Sequence, residues 1–257
     1  MATREQIDAA LTALEEQQGL RVLFACESGS RAWGFPSPDS DYDVRFVYVL
    51  PLPWYLTVDA GRDTHEAMLP DAIDLSGWEV RKTLRLFAAC NLALCEWLGS
   101  PIVYRTTPWA ARLRALVPQF FNPRKAMHHY LSSARSTAAE HLVGETLRIK
   151  KFFYILRPLL AARFVERTGA MPPTEFATLY AADGFSPTLR SQIDDIVAQK
   201  RDAGEAAHVR LPLELRTFLQ EEQIRLQAGE VGLAGASERG RGALDALLQQ
   251  CVLHGAD

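Results

Sequence analysis

The chain has 257 residues, and 48% of them are apolar, which is ample material for one large core or two ordinary ones. Its formal net charge of -3 gives no overall attraction for nucleic acid, so RNA or DNA would have to bind a local basic patch. The charged first segment is unlike a signal peptide, and no apolar run approaches the length of a membrane span. The four cysteines show neither Cys-x-x-Cys nor zinc-ligand spacing, which predicts buried, reduced thiols in a cytoplasmic protein.

The first predicted elements are a helix, a strand and a tight turn. Apolar residues at helical spacing predict a helix from Thr3 to Gln18, with Thr3 as its cap and Gly19 at its end. A strand from Arg21 to Cys26 follows and leads into Gly29–Ser30. The backbone amides of this turn, together with the start of a short helix from Ser30 to Trp33, can bind phosphate oxygens.

Two aspartates precede the next predicted strand, Val44 to Leu50. Side chains in a strand alternate between its two faces, so Asp41 and Asp43 point to the same face if the strand extends back to them. Two like charges so close repel each other, and a cation would relieve that repulsion; oxygen ligands favour Mg²⁺ or Mn²⁺. Taken alone, the pair is more typical of a loop entering a strand. Arg45 shares this face and is expected to orient a carboxylate.

Gly29–Ser30, ten intervening residues and then Asp41–Tyr42–Asp43 resemble the signature of the DNA polymerase β-like nucleotidyltransferase superfamily. The longer string GSRAWGFPSPDSDYDVRFVY is similar to one branch of it, the YcgL-type or RNA-repair-associated RlaP family. The similarity extends through Ile73–Tyr104 and Lys150–Ala161. It implies an α/β fold, a small mixed sheet followed by an all-helical domain. It also implies nucleotidyl transfer from a nucleoside triphosphate such as ATP, assisted by two Mg²⁺ or Mn²⁺ ions.

The same resemblance selects the third acid. Asp74 lies between Ile73 and Leu75, the apolar-Asp-apolar pattern that the superfamily places on a strand beside the first two acids. Asp41 and Asp43 would then bind the metals and nucleotide phosphates, and Asp74 would act as general base or metal ligand. Asp71 and Glu79 are rivals for this role, although Glu79 is expected to cap the next helix.

Around these acids, the sequence predicts two further strands, a helix from Glu79 and a short helix, Leu92 to Leu98, capped by Asn91. One strand is expected near Tyr55–Val58 within the long connection from Leu52 to Pro70, and an edge strand is expected at Ile102 to Tyr104. Lys82, on a helix that starts at Glu79, and Arg31, after the turn, are candidate phosphate ligands; a solvated surface charge is the alternative for each.

The second half of the chain carries no strand signal. A boundary at 118/119 divides the chain into a nucleotidyltransferase domain, 1–118, and a helical domain that closes over the nucleotide, 119–257. The predicted helices from this region onward are Pro108 to Val117, Asn122 to Leu142, Glu145 to Arg167, Pro187 to Arg201, Leu213 to Gln227 and Ser237 to Val252.

One of these helices, Glu145 to Arg167, carries a basic stripe. Lys150, Tyr154 and Arg157 recur at i, i+4 and i+7, with Lys151 beside them. Such a stripe suits a nucleoside triphosphate or an RNA end, and a solvated basic face is the alternative. The family resemblance favours nucleotide binding by Lys151, Tyr154 and Arg157. Separately, Arg124 and His129 resemble the Arg-x4-His motif of HEPN ribonucleases, a short motif that chance often produces.

Three functions follow from these patterns. The first is a nucleotidyltransferase acting on an RNA end, by family analogy with RNA repair. The second is a nucleotidyltransferase that modifies a protein or a small molecule, as antitoxin-type and antibiotic-modifying relatives do. The third is a catalytically silent module that binds nucleotide or RNA. The presence of Asp41, Asp43 and Asp74 together argues against the third.

Overall fold

The computed structural model describes residues 2–59, 61–202, 204, 207–229 and 240–253. The chain forms two compact units. The first comprises Met1–Ala32, Asp41–Phe120 and the described part of Ser237–Asp257; the second comprises Trp33–Ser40 and the described part of Phe121–Ala236. No helix among the described residues is both long and apolar enough to cross a membrane.

The first unit is built on a five-stranded mixed sheet in the order β3-β4-β2-β1-β5. Strands β2 and β4 run parallel, and every other neighbouring pair is antiparallel. The strands are β1 (Arg21–Glu27), β2 (Tyr42–Val49), β3 (Thr64–Leu69), β4 (Ile73–Glu79) and β5 (Val103–Thr106). The helices of this unit are α1 (Arg4–Gln18), α3 (Leu52–Tyr55), α4 (Val80–Ala88), α5 (Leu92–Leu98), α6 (Pro108–Ala115), α7 (Val117–Phe120) and α13 (Arg241–Leu253). The short helix α2 (Gly29–Trp33) also lies here, except for its last residue, which belongs to the second unit.

Both faces of this sheet are covered by apolar side chains. Helix α1 contributes Ile7, Leu11 and Leu14 to a core with Val44 and Phe46 of β2. The opposite face packs against α4, α5, α6 and α13 in a second core. Because neighbouring residues of a strand point to opposite faces, the central strands β1 and β2 carry buried apolar residues on both sides. Asp43 and Asp74 are each the second residue of their strand.

Local sequence signals fix several boundaries as predicted. Thr3 and Gln6 form a reciprocal capping box at the start of α1, and Gly19 ends the helix with a left-handed backbone. The side chain of Asn91 caps α5, and the carboxylate of Glu79 accepts two backbone N–H groups at the start of α4. All four cysteines are buried, as predicted, and none of them is in a disulfide.

The second unit is mainly helical. Its helices are α8 (Pro123–His141), α9 (Ile149–Thr168), α10 (Phe176–Ala181), α11 (Pro187–Asp202) and α12 (Leu213–Gly229). Helix α9 is buried along most of its length and packs chiefly against α8. The predicted fold class, a small mixed sheet and a helical second half, is confirmed.

Three details of the sequence prediction are wrong. Tyr55 ends the helix α3, and the strand expected near it is β3, which begins at Thr64. Two three-residue strands, β6 (Thr146–Arg148) and β7 (His208–Arg210), pair in the half expected to lack strands. Consequently α9 begins at Ile149, four residues later than predicted. Of the predicted last helix, residues 237–239 lie outside the described residues.

Candidate active site

The acids of β2 and β4 lie side by side. Asp43 is the second residue of β2, Asp74 is the second residue of β4, and the parallel register pairs them directly. Both side chains are about one-third exposed, at 31% and 32%. Asp41 lies one residue before β2 and is exposed, so strand alternation does not fix the direction of its side chain. Two of the three predicted acids are therefore brought together by the sheet itself.

A single guanidinium joins these two carboxylates. Arg45 Nη2 donates to Asp43 Oδ1 at 2.7 Å and to Asp74 Oδ2 at 2.9 Å. Its Nη1 donates to the carbonyl oxygen of Asp74 at 3.1 Å. The Arg45 side chain is only 17% exposed, which strengthens these ion pairs relative to surface pairs. The prediction that Arg45 orients a carboxylate is confirmed, and the contact includes both acids.

The Gly-Ser turn packs directly against Asp43. Ser28 N–H donates to the Asp43 carbonyl oxygen at 2.8 Å, and Gly29 follows with φ of 61°. A Cβ at Gly29 would overlap the Asp43 carboxylate, so only glycine fits both the backbone angle and the space. Ser30 is partly exposed in α2, the short helix that begins at Gly29. The turn thus lies beside one of the paired acids.

The two predicted phosphate ligands of this unit have protein partners. Arg31 Nε donates to the Asp41 carbonyl oxygen at 3.0 Å, and its guanidinium stacks over the ring of Tyr42 at 3.8 Å. Lys82 Nζ pairs with Asp63 Oδ1 at 2.9 Å. Both side chains are partly exposed. Phosphate binding by Arg31 and Lys82 stays a prediction.

The other predicted nucleotide ligands, Lys151, Tyr154 and Arg157, lie on α9 in the second unit. Tyr154 is exposed, and its ring meets the edge of Trp33 with centroids 5.4 Å apart. Arg157 is only 3% exposed, stacks over Trp33 and donates to the Thr174 carbonyl oxygen. These contacts belong to the packing of the second unit. Roles in nucleotide binding for the three α9 residues stay predictions.

The structure also places the rival residues. Glu79 is buried and caps α4. Asp71 is exposed in a turn with a left-handed backbone, where it accepts a hydrogen bond from Gln6. Arg124 and His129 both lie in the first two turns of α8. The residue that contacts both Asp43 and Asp74 is Arg45.

Sequence reasoning missed Glu27 and Tyr104. Glu27 ends β1 with no exposed surface, and its Oε1 accepts the Asp43 N–H at 2.8 Å. Its Oε2 accepts the hydroxyl of Tyr104 on β5. Burial raises the pKa of the Glu27 carboxyl above its ordinary value, and burial followed by the Glu27 carboxylate raises the pKa of Tyr104. The only sequence signal was an acidic residue directly after an apolar strand.

The chemistry of the donor set suits a divalent cation. Asp43 and Asp74 supply carboxylate oxygens, the ligands that Mg²⁺ and Mn²⁺ prefer, and they already converge on one cationic group. Within the described ranges, no group of three or more His, Cys, Asp and Glu side chains is arranged to hold a metal ion. A metal at this site would therefore require rearrangement around Arg45 and a further ligand, for which Asp41 is placed just before β2.

Paired acids on adjacent parallel strands, with a Gly-Ser turn beside them, agree with the site implied for polymerase β-like nucleotidyltransferases. The chain belongs to the RNA repair pathway DNA polymerase beta family, RlaP, whose family model matches residues 3–250. It is also similar to a Bacillus subtilis (strain 168) protein described as uncharacterized protein YcgL. The two are 42% identical over 203 residues, which cover 79% of this chain and 78% of that protein.

Proposed function

We propose that the protein is a divalent-metal-dependent nucleotidyltransferase that transfers a nucleotidyl group from a nucleoside triphosphate to an acceptor hydroxyl. The observation that carries this proposal is the direct pairing of Asp43 with Asp74, with Gly29 packed against Asp43, in a chain of the RlaP family. In the reaction, the acceptor oxygen forms a bond to the α-phosphorus. The bond from that phosphorus to the β-phosphate oxygen breaks, and pyrophosphate leaves with the bonding electrons.

Asp41, Asp43 and Asp74 would hold the Mg²⁺ or Mn²⁺ ions, two being expected from the family resemblance. Bound there, the ions supply neutralisation of phosphate charge and a lower pKa for the attacking hydroxyl. Asp74 either accepts the hydroxyl proton or acts only as a metal ligand. Both roles require the Asp74 carboxylate to lie beside Asp43, and the two residues are paired in the strand register.

The remaining residues position the nucleotide. The amides of Gly29 and Ser30 bind phosphate oxygens, because an N–H pair at a tight turn presents positive dipoles to an anion. Arg31 and Lys82 add charge at the same phosphates. We propose Lys151, Tyr154 and Arg157, on α9, as further nucleotide ligands, and 119–257 as the helical domain.

Arg45 has a defined part in this scheme. Without a divalent cation, its guanidinium is the positive charge between Asp43 and Asp74. This contact relieves the repulsion between the two carboxylates and keeps them facing one another. The two carboxylates are therefore already side by side, and a metal would bind between them once Arg45 moves aside and a further ligand joins them.

We propose an RNA end as the acceptor, by analogy with the family's description, and the cytoplasm as the location, where free buried thiols stay reduced. Modification of a protein or a small molecule is the second candidate. The test is incubation of the full chain with each α-labelled triphosphate, Mg²⁺, and RNA, DNA or cell extract. Label in RNA that RNase releases supports the proposal; label confined to protein or small molecules overturns the RNA acceptor.

A further inference from the structure

Glu27 is a buried carboxylate that continues the hydrogen-bond ladder of the sheet. The β1–β2 ladder ends at the pair Glu27 and Val44, one residue short of Asp43. The Glu27 side chain then accepts the Asp43 N–H, and Ser28 N–H donates to the Asp43 carbonyl oxygen. Both backbone groups of Asp43 are thereby bound. This fixes the position of the Asp43 Cα at the point where the strand would otherwise fray.

Tyr104 in turn holds the Glu27 side chain. Its hydroxyl donates to Glu27 Oε2, while Oε1 remains directed at the Asp43 amide. The charge of Arg31 lowers the pKa of Glu27, but by less than the hydrogen bonds from the Tyr104 hydroxyl and the Asp43 amide. Burying a carboxylate costs free energy, which these hydrogen bonds and the Arg31 charge offset. The fold bears this cost beside Asp43, an acid of the proposed active site, which indicates that Glu27 has a role there.

A second buried glutamate shows the same arrangement with a different purpose. Glu79 ends β4, is 1% exposed, and accepts the Tyr55 hydroxyl at 2.6 Å. Its other hydrogen bonds come from the first backbone N–H groups of α4, so its role is that of a helix cap. The Tyr55–Glu79 pair is thus chemically matched to the Tyr104–Glu27 pair, but Glu79 does not bind the backbone of Asp43.

We propose that Glu27 and Tyr104 are positioning residues that set the affinity of the acidic site for a divalent cation, acting through the backbone of Asp43. The proposal rests on the proposed function, since it assumes that Asp43 is a metal ligand. Partners that orient a metal ligand commonly change affinity or activity by about 10- to 100-fold when they are removed. Tyr104 acts through one more hydrogen bond than Glu27 does, so we expect its removal to weaken metal binding by an amount near the lower end of this range.

The test compares Tyr104→Phe with Tyr55→Phe in the full chain. Each variant loses one hydroxyl that donates to a buried glutamate, so their losses of thermal stability should be similar. Mn²⁺ binding is measured by electron paramagnetic resonance titration without nucleotide. Tyr104→Phe is expected to weaken Mn²⁺ binding about tenfold. Tyr55→Phe should stay within about twofold of the wild type, because Glu79 caps α4 and does not bind the backbone of Asp43.

Three outcomes are decisive. Equal Mn²⁺ affinities for the two tyrosine variants overturn the positioning role while leaving the metal site intact. Absence of Mn²⁺ binding in the wild type, or binding unchanged by Asp43→Asn, overturns the metal site and this inference with it. If Tyr104→Phe does not fold, Glu27→Gln is measured instead, and wild-type affinity in that variant overturns the proposal.

Discussion

Asp43 and Asp74 face each other on parallel strands, and one nitrogen of Arg45 bonds to both carboxylates. The pairing is a property of strand register. A shift of β4 by one residue would turn Asp74 to the opposite face of the sheet, into the core that contains Ile73 and Leu75. The apolar neighbours of Asp74 therefore fix the side of the sheet on which the third acid lies.

The register predicts which acid is required for activity. Asp74→Asn should lower nucleotidyl transfer by about 100-fold or more, because several kcal/mol of transition-state stabilisation would be lost. Asp71→Asn is the matched control, since Asp71 is exposed and Asn tolerates its left-handed backbone. The measurement is kcat/KM for labelled nucleotide incorporation at saturating Mg²⁺. Equal losses in the two variants would contradict the assignment of Asp74.

Removal of the bridging arginine should make stability depend on metal. Arg45→Ala leaves two partly buried carboxylates facing each other, and the free energy of unfolding in EDTA should fall by about 1–3 kcal/mol. Mg²⁺ should then stabilise the variant more than the wild type, because a bound cation replaces the missing charge. Urea unfolding with EDTA and with Mg²⁺ measures both effects. An equal Mg²⁺ shift in the two proteins would argue that Arg45 and the metal do not share a site.

Gly29 should be irreplaceable for a steric reason beyond its backbone angle. Gly19 and Gly29 have nearly the same left-handed φ, 60° and 61°, but only Gly29 lies against Asp43. Alanine at either position should cost about 1–2 kcal/mol in backbone strain. Gly29→Ala should also displace the Asp43 carboxylate and lower kcat about 100-fold, because reacting groups tolerate little misplacement. An equal loss of kcat in Gly19→Ala would contradict the steric role of Gly29.

Substitution of Lys82 distinguishes its two possible roles, as a phosphate ligand or as a member of a surface ion pair. If it binds triphosphate, Lys82→Ala should raise the KM for nucleotide about tenfold, the loss of one charge-assisted hydrogen bond. Arg85→Ala, an exposed cation on the same helix, should leave KM unchanged. Steady-state kinetics across nucleotide concentrations give both values. An unchanged KM for Lys82→Ala would restrict Lys82 to its pair with Asp63.

The sequence predicted the elements that depend on local chemistry. Caps at Thr3, Glu79 and Asn91 lie where short-range hydrogen bonding requires them. Asp74 was selected by the family resemblance, on the pattern of an acid between two apolar residues. Strand alternation placed Arg45 on the face of Asp43, because the two residues are two positions apart on β2.

Non-local features could not be predicted in the same way. The parallel pairing of β2 with β4 depends on chain segments thirty residues apart, and no local pattern encodes which strands meet. Glu27 was missed because carboxylates are rarely buried. The strand near Tyr55 was misplaced because aromatic and β-branched residues favour strands, whereas Pro53 there starts a short helix.

The most direct test of the catalytic proposal is nucleotidyl transfer by the wild type and Asp43→Asn. Purified full-length protein is incubated with α-labelled triphosphate, Mg²⁺ and the acceptor fraction that accepts label, and both label incorporation and pyrophosphate release are followed. We expect the wild type to release one pyrophosphate for each nucleotide incorporated, and both signals to disappear with EDTA and in Asp43→Asn. Undiminished incorporation by Asp43→Asn, or by the wild type in EDTA, would contradict a metal-dependent reaction at this pair of acids.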